Sequence, residues 1–325
     1  MTPFLARSVL AAAILLVGAC PATPAMAQQK ASLVFSAGPT GGTWTPMAAA
    51  TADVIKKKFP ELDVQVEPGA ALVNMEKIRN DKADLGWSMT TVLADARAGT
   101  NTWQGKQTDK PMYVASFYPN VWQLIVPQDS DVRKLADLKG KAVALPPRGN
   151  TSLTEGWELL MKVSGMKLDD LGTKSFGSIA DNGELIKNRQ AVAMGWYTVV
   201  PASYVLDVGS SRKLRMVPVP EDIITKMRQI NAGFIRHVIP KATYAAYGID
   251  EDVVTIQAPT ILIASSKTPP ELIYKVTKAI VEGRESFGNV TAAMKGVTAK
   301  DMAQSVGMPY HPGAEKYYKE AGLAK

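Results

Sequence analysis

The run Ala31-Ser32-Leu33-Val34-Phe35-Ser36-Ala37, followed by Gly38-Pro39-Thr40-Gly41-Gly42-Thr43-Trp44, decides how this chain is read. A short apolar run stopped by Gly-Pro predicts a buried strand. A helical stripe follows over 46–59, with Met47, Ala50, Val54 and Ile55 on one side. Next come an alternating strand at 62–67, a helix at 71–82 carrying Leu72, Met75 and Ile78, a strand end at 83–88 and a helix at 90–98. Strand, helix, strand, helix, strand predicts a parallel α/β sheet.

Further along, two apolar runs, 112–117 and 121–127, are joined at Tyr118-Pro119-Asn120. A strand at 142–145 leads through Pro146-Pro147-Arg148-Gly149-Asn150 into a helix at 151–163, with Leu153, Trp157 and Leu160 on one side. Helical signal at 184–189 and strand signals at 191–196 and 214–219 follow. Residues 220–250 show no clear period. A long apolar run at 255–265 precedes a strong helix at 270–287. The pattern predicts two α/β lobes, the first resumed after the second, with 121–127 and 255–265 crossing between them. The expected boundaries are 28–122 for the first part of lobe I, 123–255 for lobe II, and 256–325 for the return to lobe I and the C-terminal helices.

Composition narrows the class. The 325 residues are 46% apolar and 21% charged, which excludes a disordered chain. One cysteine excludes a disulfide framework. A net charge of +7 without a basic stripe argues against nucleic-acid binding, and a mean hydropathy of −0.03 excludes a multispan membrane protein. At the start, Arg7, an apolar run over 9–19 and the small-residue site Ala25-Met26-Ala27 have the pattern of a secretory signal peptide spanning 1–27. The run is too short for a membrane span. Cleavage is expected after Ala27. Cys20, in Val17-Gly18-Ala19-Cys20, loosely resembles a lipobox and is the alternative, a lipid anchor.

In parallel α/β sheets ligands gather beyond the carboxyl ends of strands, beside helix N-termini. The loop 38–44 brings backbone close to a ligand through its glycines and opens a helix whose amides suit anions. It lacks the Gly-Lys-Ser/Thr of a P-loop and the third glycine of a dinucleotide fingerprint. Asn150, Thr151 and Ser152 are capping residues that equally offer donors to a carboxylate. Arg148 reads either as a carboxylate fork or as a solvated side chain. Ser88, Thr90 and Thr91 stand at a strand-to-helix turn, where plain capping competes with ligand binding. Trp196 and Tyr197, at a strand end, read either as pocket lining or as core. His237 and His311 are too few for a histidine metal site, and no nucleophile-plus-base pair is present. No catalytic role, cofactor or metal is expected.

Four segments together resemble one family. They are Gly41-Gly42-Thr43-Trp44 after the first strand, Asn74-Met75-Glu76-Lys77-Ile78 with Lys82-Ala83-Asp84-Leu85-Gly86, Asp137-Leu138-Lys139-Gly140-Lys141-Ala142-Val143, and His311-Pro312-Gly313-Ala314-Glu315-Lys316-Tyr317-Tyr318. They are similar to segments of the TAXI solute-binding proteins of tripartite ATP-independent periplasmic (TRAP) transporters. The resemblance implies a two-lobe, type II periplasmic-binding fold with a ligand cleft between the lobes. It further implies capture of a small organic anion or amino acid (glutamate, glutamine or a 2-oxoacid) in the periplasm and delivery to integral-membrane TRAP permease subunits. Carried over by position, the pocket draws on Gly42, Thr43, Trp44, Ser88, Asn150, Thr151 and Ser152. This chain departs from the family at Pro68-Gly69-Ala70-Ala71 and at Gly195-Trp196-Tyr197-Thr198, where bulkier side chains point to a smaller or flatter ligand. A sensory subunit serving a membrane kinase, or an enzyme on the same fold, are the alternatives.

Overall fold

The computed structural model describes residues 31–38, 43–148 and 151–324, with the side chains of Thr151 and Ser152 also outside that description. The expected signal peptide and Cys20 therefore lie outside the described residues, as do Gly42 and Asn150. In chain order the first elements are β1 (Ala31–Ser36), α1 (Trp44–Lys58), β2 (Leu62–Glu67), α2 (Ala71–Arg79), β3 (Leu85–Met89) and α3 (Thr90–Ala98). The middle of the chain forms β4 (Pro111–Pro127), β5 (Val143–Leu145), α4 (Thr151–Val163), β6 (Lys174–Phe176), α5 (Ile179–Lys187), β7 (Ala193–Thr198), α6 (Ser203–Ser211) and β8 (Leu214–Val217). The last are α7 (Glu221–Ile230), β9 (Ile235–Ile239), β10 (Val253–Ser265), α8 (Pro270–Glu282), α9 (Ala299–Met302) and α10 (Pro312–Glu320).

The strands form one sheet in the order β2-β1-β3-β10-β4-β7-β5-β6, with β8 paired to β4 and β9 to β10. The expected parallel pattern is right at both ends: β1 pairs parallel with β2 and β3, and β5 with β6 and β7. It fails in the middle, where β4 and β10 run antiparallel to each other and to their outer neighbours β7 and β3. These two long strands belong to both halves of the sheet. β10 offers residues 260–264 to β3 and residues 253–257 to β9, and β4 pairs with β7 and β8 through residues 121–127.

The two expected runs at 112–117 and 121–127 are one strand. Pro119 faces Pro259 at the point where the register of β4 on β10 shifts. Proline has no N–H to give a ladder, so a break in register is where a strand tolerates it. The expected 270–287 helix stops at Glu282 and continues as a separate 3-10 turn over Arg284–Asn289. The unreadable 220–250 segment holds α7 and β9.

Each half has its own core. Phe35, Met47, Trp87, Phe117, Ile273, Phe287 and Tyr318 are buried together around β1, β3 and the C-terminal helices. Trp122, Leu145, Trp157, Tyr197, Met227 and Ile256 are buried together in the other half.

Candidate functional site

Asn74 ties three loops of the first half together. Its amide donates to Ala37 O at 2.8 Å and Trp87 O at 2.7 Å, while its carbonyl accepts from Ser36 Oγ at 2.7 Å and Ala70 N at 3.1 Å. Fully buried and fully satisfied, it fixes the carboxyl ends of β1 and β3 relative to α2. Trp44 is pinned beside them: Trp87 Nε1 donates to its carbonyl at 3.0 Å, and its own Nε1 reaches Thr260 Oγ1 on β10 at 3.4 Å. Asn120 on β4 donates to the same Thr260 hydroxyl at 2.8 Å.

The start of α3 is held by the other half. Thr90 does not cap its own helix; its hydroxyl donates to Gly233 O at 2.7 Å. Asn231 donates to Thr91 O at 3.0 Å and accepts from Gly233 N at 2.8 Å. A Cβ on Gly233 would lie 2.5 Å from the Thr90 carbonyl and the Thr91 nitrogen, so only glycine permits this approach.

Beside that contact lies a cleft of about 240 Å³. One wall is α3 (Thr91, Val92, Asp95) and the facing wall is α4 (Glu155, Gly156, Glu158, Leu159, Lys162). Tyr197 of β7, Asn231, Phe234 and Ala258 of β10 also line it, with Met89, Asn101 and Ile230. Both halves of the sheet therefore contribute to it. Tyr197 is held by Trp122, with ring centroids 5.0 Å apart, and Trp122 meets Trp157 edge-on at 4.9 Å. A Cβ on Gly156 would come within 2.6 Å of the Tyr197 ring, so the ring lies directly on the α4 backbone. Tyr197 is 7% exposed, yet its hydroxyl has no hydrogen-bond partner among the described residues.

The cleft is acidic. Asp95 is buried, and its two carboxylate oxygens accept separately from Thr100 Oγ1 at 2.6 Å and Asn101 Nδ2 at 2.9 Å. Burial pushes the Glu155 carboxyl up to about 7, and the neighbouring carboxylates of Asp95 and Glu158 add repulsion in the same direction.

Of the residues singled out in the sequence, the structure places Thr91 and Tyr197 in this cleft. Trp196 points the other way, as strand alternation requires, into the core with Tyr204 and Val205. Thr43 is exposed at the N-cap of α1, Trp44 is half-buried, and Ser88 is fully buried with its hydroxyl toward Ala71 O at 3.5 Å. None of these three lines the cleft. Arg148 stacks on the Phe176 ring, 3.9 Å from its centroid, in line with a surface role. His311 caps α10, accepting from Gly313 N at 3.2 Å through Nδ1, with Nε2 at 3.1 Å from Thr268 O.

Sequence reasoning missed Asp95, Glu155, Glu158, Asn231 and Phe234. The signal available was acidic residues placed among apolar helix positions: Asp95 beside Leu93 and Ala96, and Glu155 beside Trp157. Which of these meet was not readable without the strand order.

The chain belongs to the NMT1-like family, which matches residues 35–322. Among solved structures, it is similar to PhnD1 from Prochlorococcus marinus in complex with methylphosphonate. The two share 11% identity over 90% of this chain and 98% of that one, with a TM-score of 0.52. A Xanthomonas citri protein bound to ATP aligns at 13% identity over 90% and 96% of the two chains, with a TM-score of 0.51. These likenesses show the fold, that of the type II periplasmic-binding proteins. Among the described residues, no helix is long and apolar enough to cross a membrane, and no cluster of residues suited to a metal ion is present.

Proposed function

We propose that this protein is a periplasmic solute receptor, not an enzyme. It captures a small organic anion or amino acid in the cleft between its halves and hands it to a membrane permease. The observation that carries this reading is the 240 Å³ cleft lined from both halves. The fold and the family agree with the reading. The pattern at residues 1–27 supports export, and the motifs shared with TAXI proteins support a TRAP-type permease as the recipient.

In this reading the halves move as lobes bounded near 122/123 and 255/256, with β4 and β10 as the hinge. The Thr90–Gly233 contact sets their resting approach. Of the residues expected from the sequence, Thr43 and Trp44 at the start of α1 would join the ligand's surroundings as the lobes approach.

A thermal-shift panel of amino acids, carboxylates, 2-oxoacids and amines tests the reading, since a ligand that binds only the folded chain raises its melting temperature. The compound that raises it is then titrated against Gly156→Ala, whose methyl would push the Tyr197 ring into the cleft. Loss of about tenfold or more in affinity is expected, the equivalent of one lost contact of about 1.4 kcal/mol. Unchanged affinity would move the site elsewhere.

A further inference from the structure

One edge of β10 carries two strands. Its residues 253–257 pair with β9 and its residues 260–264 with β3, both antiparallel and both on the side away from β4. β3 and β9 therefore run in the same direction, end to end, one in each half of the molecule. Met89 stands opposite Thr260 and Ile235 opposite Gln257, so three residue steps of β10, about 10 Å, separate them. The two strands do not meet. The start of α3 and the segment 231–234 close the gap instead.

We infer that this closure is a hinge pin: a third, non-covalent crossing between the halves, which confines their motion to bending across the β4–β10 pair. The inference rests on reading the halves as lobes that move about a ligand. A two-stranded ribbon twists more readily than a wider sheet. Joined by β4 and β10 alone, the lobes would be free to turn about the strand direction as well as to fold toward each other. A third attachment beside the ribbon, in the plane of the sheet, resists the turn. A bend about a line across the strands passes through that attachment and leaves it intact.

The contact has the construction such a pin needs. Thr90 is fully buried, and its hydroxyl donates to Gly233 O at 2.7 Å across the gap. Asn231, also buried, returns a hydrogen bond from its Nδ2 to Thr91 O at 3.0 Å. One bond is given from each half, and the carbonyl of Asn231 is held in turn by Gly233 N at 2.8 Å. The fit has no slack: a Cβ on Gly233 would lie 2.5 Å from the carbonyl carbon and oxygen of Thr90 and from Thr91 N, all of them backbone. Hydrogen bonds weaken steeply as they lose alignment, so a twist of one half on the other strains both bonds at once. Thr91 and Asn231 also line the cleft, which places the pin on its floor.

The test reads the distance between the halves with paired spin labels on the full chain. Cys20→Ser removes the chain's single cysteine. Labels then go on Lys57→Cys in α1 and Lys139→Cys in the turn before β5, both at exposed positions. Thr90→Val keeps the shape of the side chain and removes its donor, while Thr90→Ser keeps the donor. Asn231→Ala removes the reciprocal bond without touching α3. Thr90→Val and Asn231→Ala are expected to broaden the distance distribution, and Thr90→Ser to retain the width of the parent. Gly233→Ala is expected to shift the mean distance, because backbone has to part to admit the methyl. Melting temperatures report whether each variant is folded, and the separate substitutions on the two sides keep the test decisive if one of them is not.

Equal widths in the parent, Thr90→Val and Asn231→Ala would overturn the pin, since β4 and β10 would then set the motion by themselves. Equal broadening by Thr90→Val and Thr90→Ser would overturn it too, because the donor would not be the restraint. A Gly233→Ala mean equal to the parent's would do the same. The measurement needs no ligand, so its failure leaves the receptor reading standing, and a flat ligand panel would remove that reading without changing these distances.

Discussion

Tyr318 and Tyr197 are both buried, one in each half of the molecule, and burial raises the pKa of both hydroxyls far above its ordinary value. Their hydroxyls live differently. Tyr318 donates toward Val114 O at 2.9 Å and Met302 O at 3.3 Å, and nearby Tyr113 reaches Ser116 Oγ at 2.8 Å and Gln304 O at 2.7 Å. Tyr197 has no partner among the described residues. The Tyr318 and Tyr113 hydroxyls thereby join the C-terminal segment to β4 and its neighbours. Among the described residues the Tyr197 hydroxyl shares its lack of a partner with other buried groups, such as Trp122 Nε1 and Trp196 Nε1. A fold that satisfies Asn74, Tyr113, Tyr318 and His311 can satisfy a hydroxyl when stability is the purpose.

The sharpest way to test that the satisfied region is structural is at its tightest point. A Cβ on Gly313 would lie 2.1 Å from Pro270 O and 2.7 Å from Tyr274 N, so α10 rests on the first turn of α8 with no room for a methyl. Neither contact is the end of a flexible side chain, so relief requires the two helices to separate. Gly313→Ala is expected to destabilise the fold by about 3 kcal/mol or more, the upper range for overpacking, measured by denaturant unfolding. A change below about 1 kcal/mol would mean that α10 is loosely docked and the contrast with the cleft is weaker than drawn.

The same position shows what the sequence made legible. His311-Pro312-Gly313-Ala314 was readable as a motif, and its physics is local: a capping side chain, a proline at the first helical turn and two small residues facing a packed neighbour. The strands and helices of the first half were readable for the same reason, since periodicity and capping act within a few residues. The merged strand β4 was not, because Pro119 looks like a break until Pro259 is seen opposite it. Antiparallel pairing of β4 and β10 was hidden likewise, as pairing partners stand more than a hundred residues apart. The cleft suffered most. Tyr197 was picked out for its bulk, but Asp95 and Glu155 meet only because α3 and α4 come from different halves. Loops rich in glycine and hydroxyls drew attention because they are conspicuous in sequence, whereas two acidic residues on amphipathic helices are not.

The two tyrosines can be compared directly by removing one oxygen from each. Tyr318→Phe leaves the cavity filled but strips a partner from two buried carbonyls, and is expected to cost about 1–2 kcal/mol. For a chain of this size each 1 kcal/mol lowers the melting temperature by about 2–4 °C. Tyr197→Phe removes a hydroxyl that has no partner among the described residues, so the free protein is expected to stay as stable or gain up to about 1 kcal/mol. Equal losses of stability in the two variants would erase the distinction between the regions.

The smallest expected effect is the dependence of the free protein on pH, and here the sign identifies the group. Glu155 has a folded-state pKa raised to about 7 from an ordinary value of 4.5, so the folded chain holds its proton more tightly than the unfolded chain does. Its contribution to stability is complete below the ordinary carboxylate range and is lost as the pH rises through about 7. His311, whose pKa is lowered chiefly by burial, works in the opposite sense: its neutral ring is the one that fits, so stability falls as the pH drops below its ordinary value of 6.5. The two slopes share one pH window but come from different regions, and substitution separates them. Glu155→Gln should abolish the loss of stability between about pH 5 and pH 8 without touching the acid limb set by His311 and by His237, whose pKa burial also lowers. If the alkaline-side slope survives the substitution, the carboxyl is not held protonated by the cleft. The cleft would then be less desolvated than its geometry indicates, and its contrast with the C-terminal core would rest on Tyr197 alone.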